Sequence, residues 1–286
     1  MKRPGVVTLL THQNVEDTSA AVHRVIDELT GAGISVRADV DEVEKHGLTA
    51  RDGLTLGADT AADGTELAVV LGGDGTMLRA MRTFAGRGVP VFSFNFGAIG
   101  FLATVERDQL DNGIKRVLEG DYELIHMPAL SIDVGGTEHI GVNDISFHRR
   151  ANNRVAELAY SVGSDQLGSV RCDGLVVSTP VGSTGYNLAN GGPVLAWGVQ
   201  GYVVSFIAPH TLTARALVVA TDAVLTVQNG SENEPVDVTT DGRIVCALDP
   251  HAEMNIRFHH DRVLLAQQPG SSFYHRLREK FGRLAY

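Results

Sequence analysis

Apolar positions recur with two rhythms along this chain, and the change of rhythm divides it. Up to about residue 120, short unbroken apolar runs alternate with stretches in which apolar residues return every three or four positions. The runs predict buried strands and the stretches amphipathic helices. Residues 5–11 make a first strand. Val15, Ala21, Val22, Val25, Ile26 and Leu29 then form one helical stripe, with Asn14 and Asp17 as candidate caps and Gly31 and Gly33 as the stop. Residues 34–40 read as a second strand, whereas 41–64 is polar, broken by glycines and without a readable period. Strands at 67–71 and 90–95 enclose a helix carrying Met77, Leu78, Ala80, Met81 and Phe84, and 110–118 supplies another helix. Such alternation predicts a parallel sheet covered by helices.

From Tyr122 the texture changes to short alternating runs separated by glycines. Residues 130–134, the turn Gly135-Gly136 and residues 139–147 predict a hairpin. Runs at 155–162, 170–179, 202–207, 217–219, 223–228, 236–239, 244–247 and 254–258 continue the pattern, which implies two packed β-sheets. The expected division is an α/β domain over 1–122, a β-rich domain over 123–268, and a tail, 269–286. The tail carries a short helix over 273–284, with Phe273, Leu277 and Phe281, and is expected to dock back on the first domain.

A chain of 286 residues with a net charge of −10 has ample core for two domains and no general surface for nucleic acid or anionic membrane. Anionic ligands must then be held by local donors. The apolar run near the amino terminus, residues 6–10, is too short for a signal segment, and no stretch approaches a membrane span. Cys172 and Cys246 form neither a metal-ligand pattern nor a disulfide framework, so they read as reduced thiols of a cytoplasmic protein.

The densest chemistry lies at the end of the strand over 67–71. Gly72, Gly73, Asp74, Gly75 and Thr76 join it to a helix, so the backbone can bend sharply and offer N–H groups to phosphate at the helix start. Asp74 is out of place in a plain phosphate loop, since a carboxylate repels phosphate unless it holds a metal ion or takes a proton from an attacking hydroxyl. The turn therefore suggests phosphoryl transfer. Arg79, one helical turn on, reads either as reaching phosphate or as a solvated helix arginine. Residues 95–102, NFGAIGFL, are either a structural turn or a second ligand wall.

In the β-rich half, Asn143 and Asp144 sit side by side in a run that reads as strand, where paired donors and acceptors could grip a ribose or an amide. Residues 178–186, STPVGSTGY, offer many N–H and O–H donors, and Val176, Val177 and Pro180 stiffen what would otherwise read as a flexible loop. His210 lacks a nearby carboxylate in sequence and reads as a turn anchor rather than a base.

Taken together, GGDGT, NFGAIGFL, GVND, CDGLVVSTPVGSTGYNLANGGPV and IAPHTLTARALVV closely resemble the bacterial NAD kinases, in order and spacing, from about residue 66 to 247. The glycine–aspartate turn alone is shared with diacylglycerol and sphingosine kinases and phosphofructokinases; the long STPVGSTGY segment is the specific part. The resemblance implies transfer of phosphate from ATP, or from polyphosphate, to the 2′-hydroxyl of the adenosine ribose of NAD. It implies Asp74 as the proton acceptor with Gly75 beside it, and a divalent ion, Mg²⁺, with Asp74 as its candidate contact. Asn143 and Asp144 match the pair that holds the ribose hydroxyls. Asp173 matches the aspartate near the nicotinamide carboxamide, and Arg171 the variable position before it. Thr184, Gly185, Tyr186, Asn187, Leu188 and Ala189 match the lining of the adenine and ribose pockets, and Ala208 another wall. Arg154 falls at a polar contact across a subunit interface, in keeping with a homodimer or homotetramer.

The chain departs from the family in four places. Cys172 stands for glycine or serine, and Gly185 for a common alanine. Arg243 in Asp241-Gly242-Arg243 replaces a neutral amide by a cation, which bears on NAD against NADH or on the dinucleotide phosphates. Phe94 and Phe96 bulk the loop after the fourth strand. Two other readings compete: a lipid kinase of the diacylglycerol type, which needs an apolar acceptor cleft, and a non-catalytic NAD(P)-binding regulator.

Overall fold

The structure, a computed structural model, describes residues 2–60, 63–97, 100–151 and 154–282. Ile99 of the NFGAIGFL loop and residues 283–284 of the expected tail helix lie outside the described residues. The chain divides into two compact units, one made of residues 1–126 and 263–286, the other of residues 127–262.

The first unit opens with β1 (Val6–Thr11), α1 (Val15–Gly31), β2 (Ser35–Ala38), α2 (Val40–His46), β3 (Leu54–Leu56) and β4 (Leu67–Gly72). It continues with α3 (Asp74–Thr83), β5 (Pro90–Asn95), β6 (Val105–Glu106) and α4 (Leu110–Glu119). The strands pair in parallel in the order β5–β4–β1–β2–β3, with β6 and residues 264–265 also parallel to β5. Every residue of β4 and β5 is buried, as strands covered on both faces require. The stripe Val22, Val25, Ile26 and Leu29 packs with Ile114 and Val117 of α4 against Val7, Leu9, Val69 and Leu71.

The second strand is shorter than its alternating pattern over 34–40 suggests. Asp39 caps α2, its side chain accepting the Glu42 N–H at 2.9 Å, so Val40 begins a helix and stays 56% exposed. The unreadable segment after it holds α2 and β3. Phe94 lies in the core, its ring against Gly113, where a Cβ would fall 2.3 Å from a ring carbon. The bulk of Phe94 is thus spent on packing α4.

The second unit contains β7 (Glu123–Val134), whose first residues belong to the first unit, β8 (Thr137–Gly141), β9 (Asp144–Arg149), β10 (Ala156–Val162), β11 (Asp165–Cys172) and β12 (Gly174–Ser178). A one-turn helix α5 (Tyr186–Ala189) precedes β13 (Tyr202–Ile207), β14 (Leu217–Val219), β15 (Leu225–Asn229), β16 (Val236–Thr240), β17 (Arg243–Leu248) and the long β18 (Glu253–Gln267). One antiparallel sheet runs β14–β13–β12–β9–β16–β17. Strands β11, β10, β15 and the start of β18 form the other, to which β7 and β8 attach. Ile145, Phe147, Leu175, Val177 and Val204 from the first sheet share a core with Leu130, Leu158, Leu225, Val227 and Ile256 from the second.

Two expected strands are broken, and both breaks fall at candidate site residues. The run over 139–147 is interrupted at Val142-Asn143, and that over 170–179 at Asp173. The last residues of β18 return to the first unit, followed by α6 (Phe273–Phe281), capped by Ser272.

Candidate active site

In the first unit the β4–α3 turn is built by close approach. A Cβ on Gly72 would lie 2.5 Å from Thr76 Oγ1, and one on Gly97 would lie 2.8 Å from the Gly73 Cα, so side chains are excluded at both. Thr76 is buried, its hydroxyl packed on Gly72, and a Cβ at Gly75 would meet nothing within 4 Å. Gly73 caps α3 without a side-chain bond, which leaves the helix start open to an anion.

The Asp74 carboxylate accepts N–H bonds from Phe101 (2.7 Å, Oδ2) and Leu102 (3.1 Å, Oδ1), and a Cβ on Gly100 would fall 2.8 Å from Oδ1. Burial raises its proton affinity above the ordinary carboxylate value. The two N–H bonds and the positive charges of Arg276 and Lys280 oppose that rise. Arg276, itself buried, donates to the carbonyls of Phe101 (3.2 Å) and Ala103, and Phe101 packs on Phe273 with ring centroids 5.7 Å apart. Helix α6 thus grips the loop that cups Asp74.

Arg79 is turned away from a solvated role. Its guanidinium sits on Thr11 O and on Oε1 of the fully buried Glu42, each at 3.0 Å, and Lys45 meets the same carboxylate at 2.8 Å. Its charge is matched there by Glu42.

In the second unit the backbone between β8 and β9 is committed group by group. The Val142, Asn143 and Asp144 N–H groups donate to the Asp241 carboxylate at 3.2, 2.7 and 3.2 Å. Val142 O accepts from Thr179 Oγ1 (2.7 Å), Asn143 O from Thr179 N (2.9 Å) and Ser178 Oγ (3.3 Å), and Asp144 O from Asp241 N (3.0 Å). The side chains of Asn143 and Asp144, by contrast, make no hydrogen bond among the described residues. Asp144 is buried, and burial, then the charge of Asp241, lifts its carboxyl to about 7.

Around this turn stand several of the expected residues. Tyr186 stacks on His148 with centroids 5.7 Å apart and planes 18° from parallel; burial, then the charges of Asp144 and Asp173, raises its hydroxyl. Asp173 pairs with Arg149 Nε at 2.6 Å. Asn187 is fully buried, its amide donating to Ser183 O and Pro193 O at 3.0 Å each, so it ties the loop together. Thr184 and Leu188 are half-buried, while Gly185, Ala189 and Ala208 are exposed, the last with φ 42°. Arg154 and Arg171 line an open cleft of about 550 Å³ with Glu157, Glu232 and Glu234. Arg243 is exposed beside the β16–β17 turn, and His210 is exposed, its N–H on Arg171 O.

Sequence reading passed over two residues. An Asp-Gly pair between strands reads as a hairpin turn, which hides the reach of the Asp241 carboxylate. Arg276 is one basic residue on an amphipathic helix, with nothing local to mark it.

The model of the ATP-NAD kinase N-terminal domain matches residues 8–122, and that of the ATP-NAD kinase C-terminal domain residues 142–267. The NAD kinase of Gemmatimonas aurantiaca is 34% identical over 239 residues, 82% of each chain. That of Syntrophotalea carbinolica is 30% identical over 295 residues, 99% of each. In fold, the chain resembles yeast NADH kinase complexed with NADH (TM-score 0.89, 20% identity, 100% of this chain and 91% of that one). It also resembles an NAD kinase from Archaeoglobus fulgidus in complex with ATP (TM-score 0.74, 22% identity, 97% of each).

Proposed function

Because the chain belongs to the NAD kinase family, whose two domain models and curated relatives span it, we propose the following roles in the phosphorylation of NAD by ATP. Asp74 takes the proton of the ribose 2′-hydroxyl as its oxygen bonds the γ-phosphorus; the bond to the bridging oxygen breaks and ADP leaves. Phe101 and Leu102 N–H fix the direction of that carboxylate, and its burial makes it a stronger base than an exposed aspartate. Gly72, Gly73, Gly75 and Thr76, at the open start of α3, receive the triphosphate. Arg79, held on Glu42, braces the turn from behind.

Asn143 and Asp144 hold the ribose hydroxyls. The observation that carries this reading is that every backbone group of their turn is bonded while both side chains remain available. Tyr186 over His148 offers a flat face to a ring, Asp173 with Arg149 a polar end for a carboxamide, and exposed Arg243 a cation for the dinucleotide phosphates.

Among the described residues no three His, Cys, Asp or Glu side chains form a group that could hold a metal ion, and each Asp74 oxygen, accepting one N–H bond, keeps a second lone pair for a contact to a substrate-borne ion. The donor set makes no metal cage, so Mg²⁺ enters with its substrate as MgATP and no step is assigned to it. A homodimer or homotetramer and a cytoplasmic location accompany this reading. Neither a lipid kinase nor a regulator is favoured, because the family models and relatives name NAD kinases in both halves of the chain.

The test is incubation of the purified protein with MgATP and NAD or NADH while NADP(H) is followed. Product from NAD is expected. No product with either ATP or polyphosphate overturns the reading.

A further inference from the structure

Asp241 and Gly242 form the two-residue turn between β16 and β17, with φ 45° and 75°. A turn aspartate ordinarily bonds its own backbone or faces water. This one reaches 97 to 99 positions back along the chain to accept three consecutive N–H groups, and its own N–H returns a bond to Asp144 O. The hairpin thus serves as a plug for the turn that carries the acceptor pair.

We propose that Asp241 is a positioning residue of the nucleotide-acceptor site, holding the Val142–Asn143–Asp144 backbone so that the Asn143 and Asp144 side chains meet two sugar hydroxyls in fixed geometry. The inference rests on reading that pair as the ribose site of an NAD kinase.

The arrangement has a geometric and an electrostatic side. Oδ1 of Asp241 serves Asn143 and Asp144, and Oδ2 serves Val142. An asparagine could keep the first two bonds, but its NH₂ would then confront the Val142 N–H, donor against donor. Among the described residues the titratable groups facing Asp144 are Asp241, from the hairpin, and Tyr186, from α5. Burial and Asp241 together keep Asp144 partly protonated near neutral pH, where it can donate as well as accept. Removing the Asp241 charge lets Asp144 ionise at lower pH.

The experiment measures kcat and the KM of NAD and of ATP for the full chain, Asp241→Asn and Asp241→Ala between pH 5.5 and 9, with Tm for each. Asp241→Ala is expected to raise the NAD KM about 10- to 100-fold, as loss of an acceptor shared by three part-buried donors implies, with the ATP KM within about twofold. Asp241→Asn raises it less, and the pH at which the NAD KM changes moves acidward. Equal rises for both substrates, or an unmoved pH profile in Asp241→Asn, overturn the proposal. Should Asp241→Ala fail to fold, the substrate split and pH profile of Asp241→Asn decide. An active wild type with unaltered variants removes only the role of Asp241; a wild type that neither binds nor phosphorylates NAD removes the kinase reading and this inference with it.

Discussion

Gly182→Ala isolates the close approach on which the Val142–Asp144 turn, proposed to hold the acceptor ribose, depends. A Cβ at Gly182 would stand 2.1 Å from Asn143 O, 2.4 Å from its C and 2.5 Å from its Cα, all backbone atoms. Ordinary contact begins near 3.4 Å, so one side must give by about 1 Å. Asn143 cannot give cheaply, since its carbonyl is held by Thr179 N and Ser178 Oγ and its N–H by Asp241. The φ of Gly182 is not in the left-handed region, so the effect is steric rather than conformational. Overpacking of this kind costs about 1–3 kcal/mol, which lowers Tm by roughly 2–10 °C. The displaced pair should raise the NAD KM at least about tenfold with the ATP KM nearly unchanged, the loss of one or two well-placed hydrogen bonds. Gly198→Ala, whose added methyl would meet nothing within 4 Å, serves as the control. Thermal melts and steady-state kinetics on both variants decide the matter. A Gly182→Ala protein with wild-type Tm and wild-type NAD KM refutes the argument that this contact holds the turn.

Other expectations follow from the same geometry. Asp74→Asn should lower kcat roughly 10²–10⁴-fold and leave NAD affinity by calorimetry intact; undiminished turnover takes Asp74 out of the base role. Because burial raises the proton affinity of Asp74, kcat of the wild type should fall on the acid side at a pH above the ordinary aspartate range, a limb absent in Asp74→Asn. Asp144 has a carboxyl lifted from 3.8 to about 7, so the folded protein binds the proton more tightly than the unfolded chain and loses stability as pH rises between those values. Asp144→Asn should therefore raise stability at pH 8 by on the order of 4 kcal/mol and leave it unchanged below pH 4, while weakening NAD; equal unfolding curves at pH 8 would contradict this. Arg276→Met removes the donor to Phe101 O and Ala103 O and should cut kcat more than either KM, with Arg276→Lys recovering part of the loss.

Much of the first unit is legible in the sequence because a strand buried on both faces is written as an unbroken apolar run. Residues 67–72 are such a run, 90–95 is apolar but for Ser93 and Asn95, and the glycines after Leu71 announce the turn. Residue 40 misleads for the opposite reason: valine extends the alternation of Ile34, Val36 and Ala38, yet the cap at Asp39 has already begun a helix. In the β half, the strand pattern carries on through Val142 and Asp173, so the breaks at the candidate site do not show. They are imposed by tertiary partners, Asp241 for the first and, for Asp173, the switch from pairing with β10 through Cys172 to pairing with β9 and β13 through Gly174. Asp74, Asn143 and Asp144 carry their chemistry in their own types and neighbours. Asp241 and Arg276 acquire theirs only from tertiary contact.

The discontinuity of the first unit bears on how the protein is made. A ribosome releases residues 1–126 early, including the glycine turn and Asp74, but residues 264–265, which pair with the edge of β5, and Arg276 emerge only after the whole second unit. At about 5–20 residues per second that interval is on the order of ten seconds. Throughout it the nascent chain exposes the open edge of β5 and a loop whose carbonyls await a guanidinium. Nascent chains arrested before residue 263 should accordingly be more protease-sensitive around residues 90–106 than chains arrested with the C-terminal helix clear of the exit tunnel. Asp74 is synthesised in the first third of the chain, yet the loop that cups it is gripped only once Arg276 has emerged.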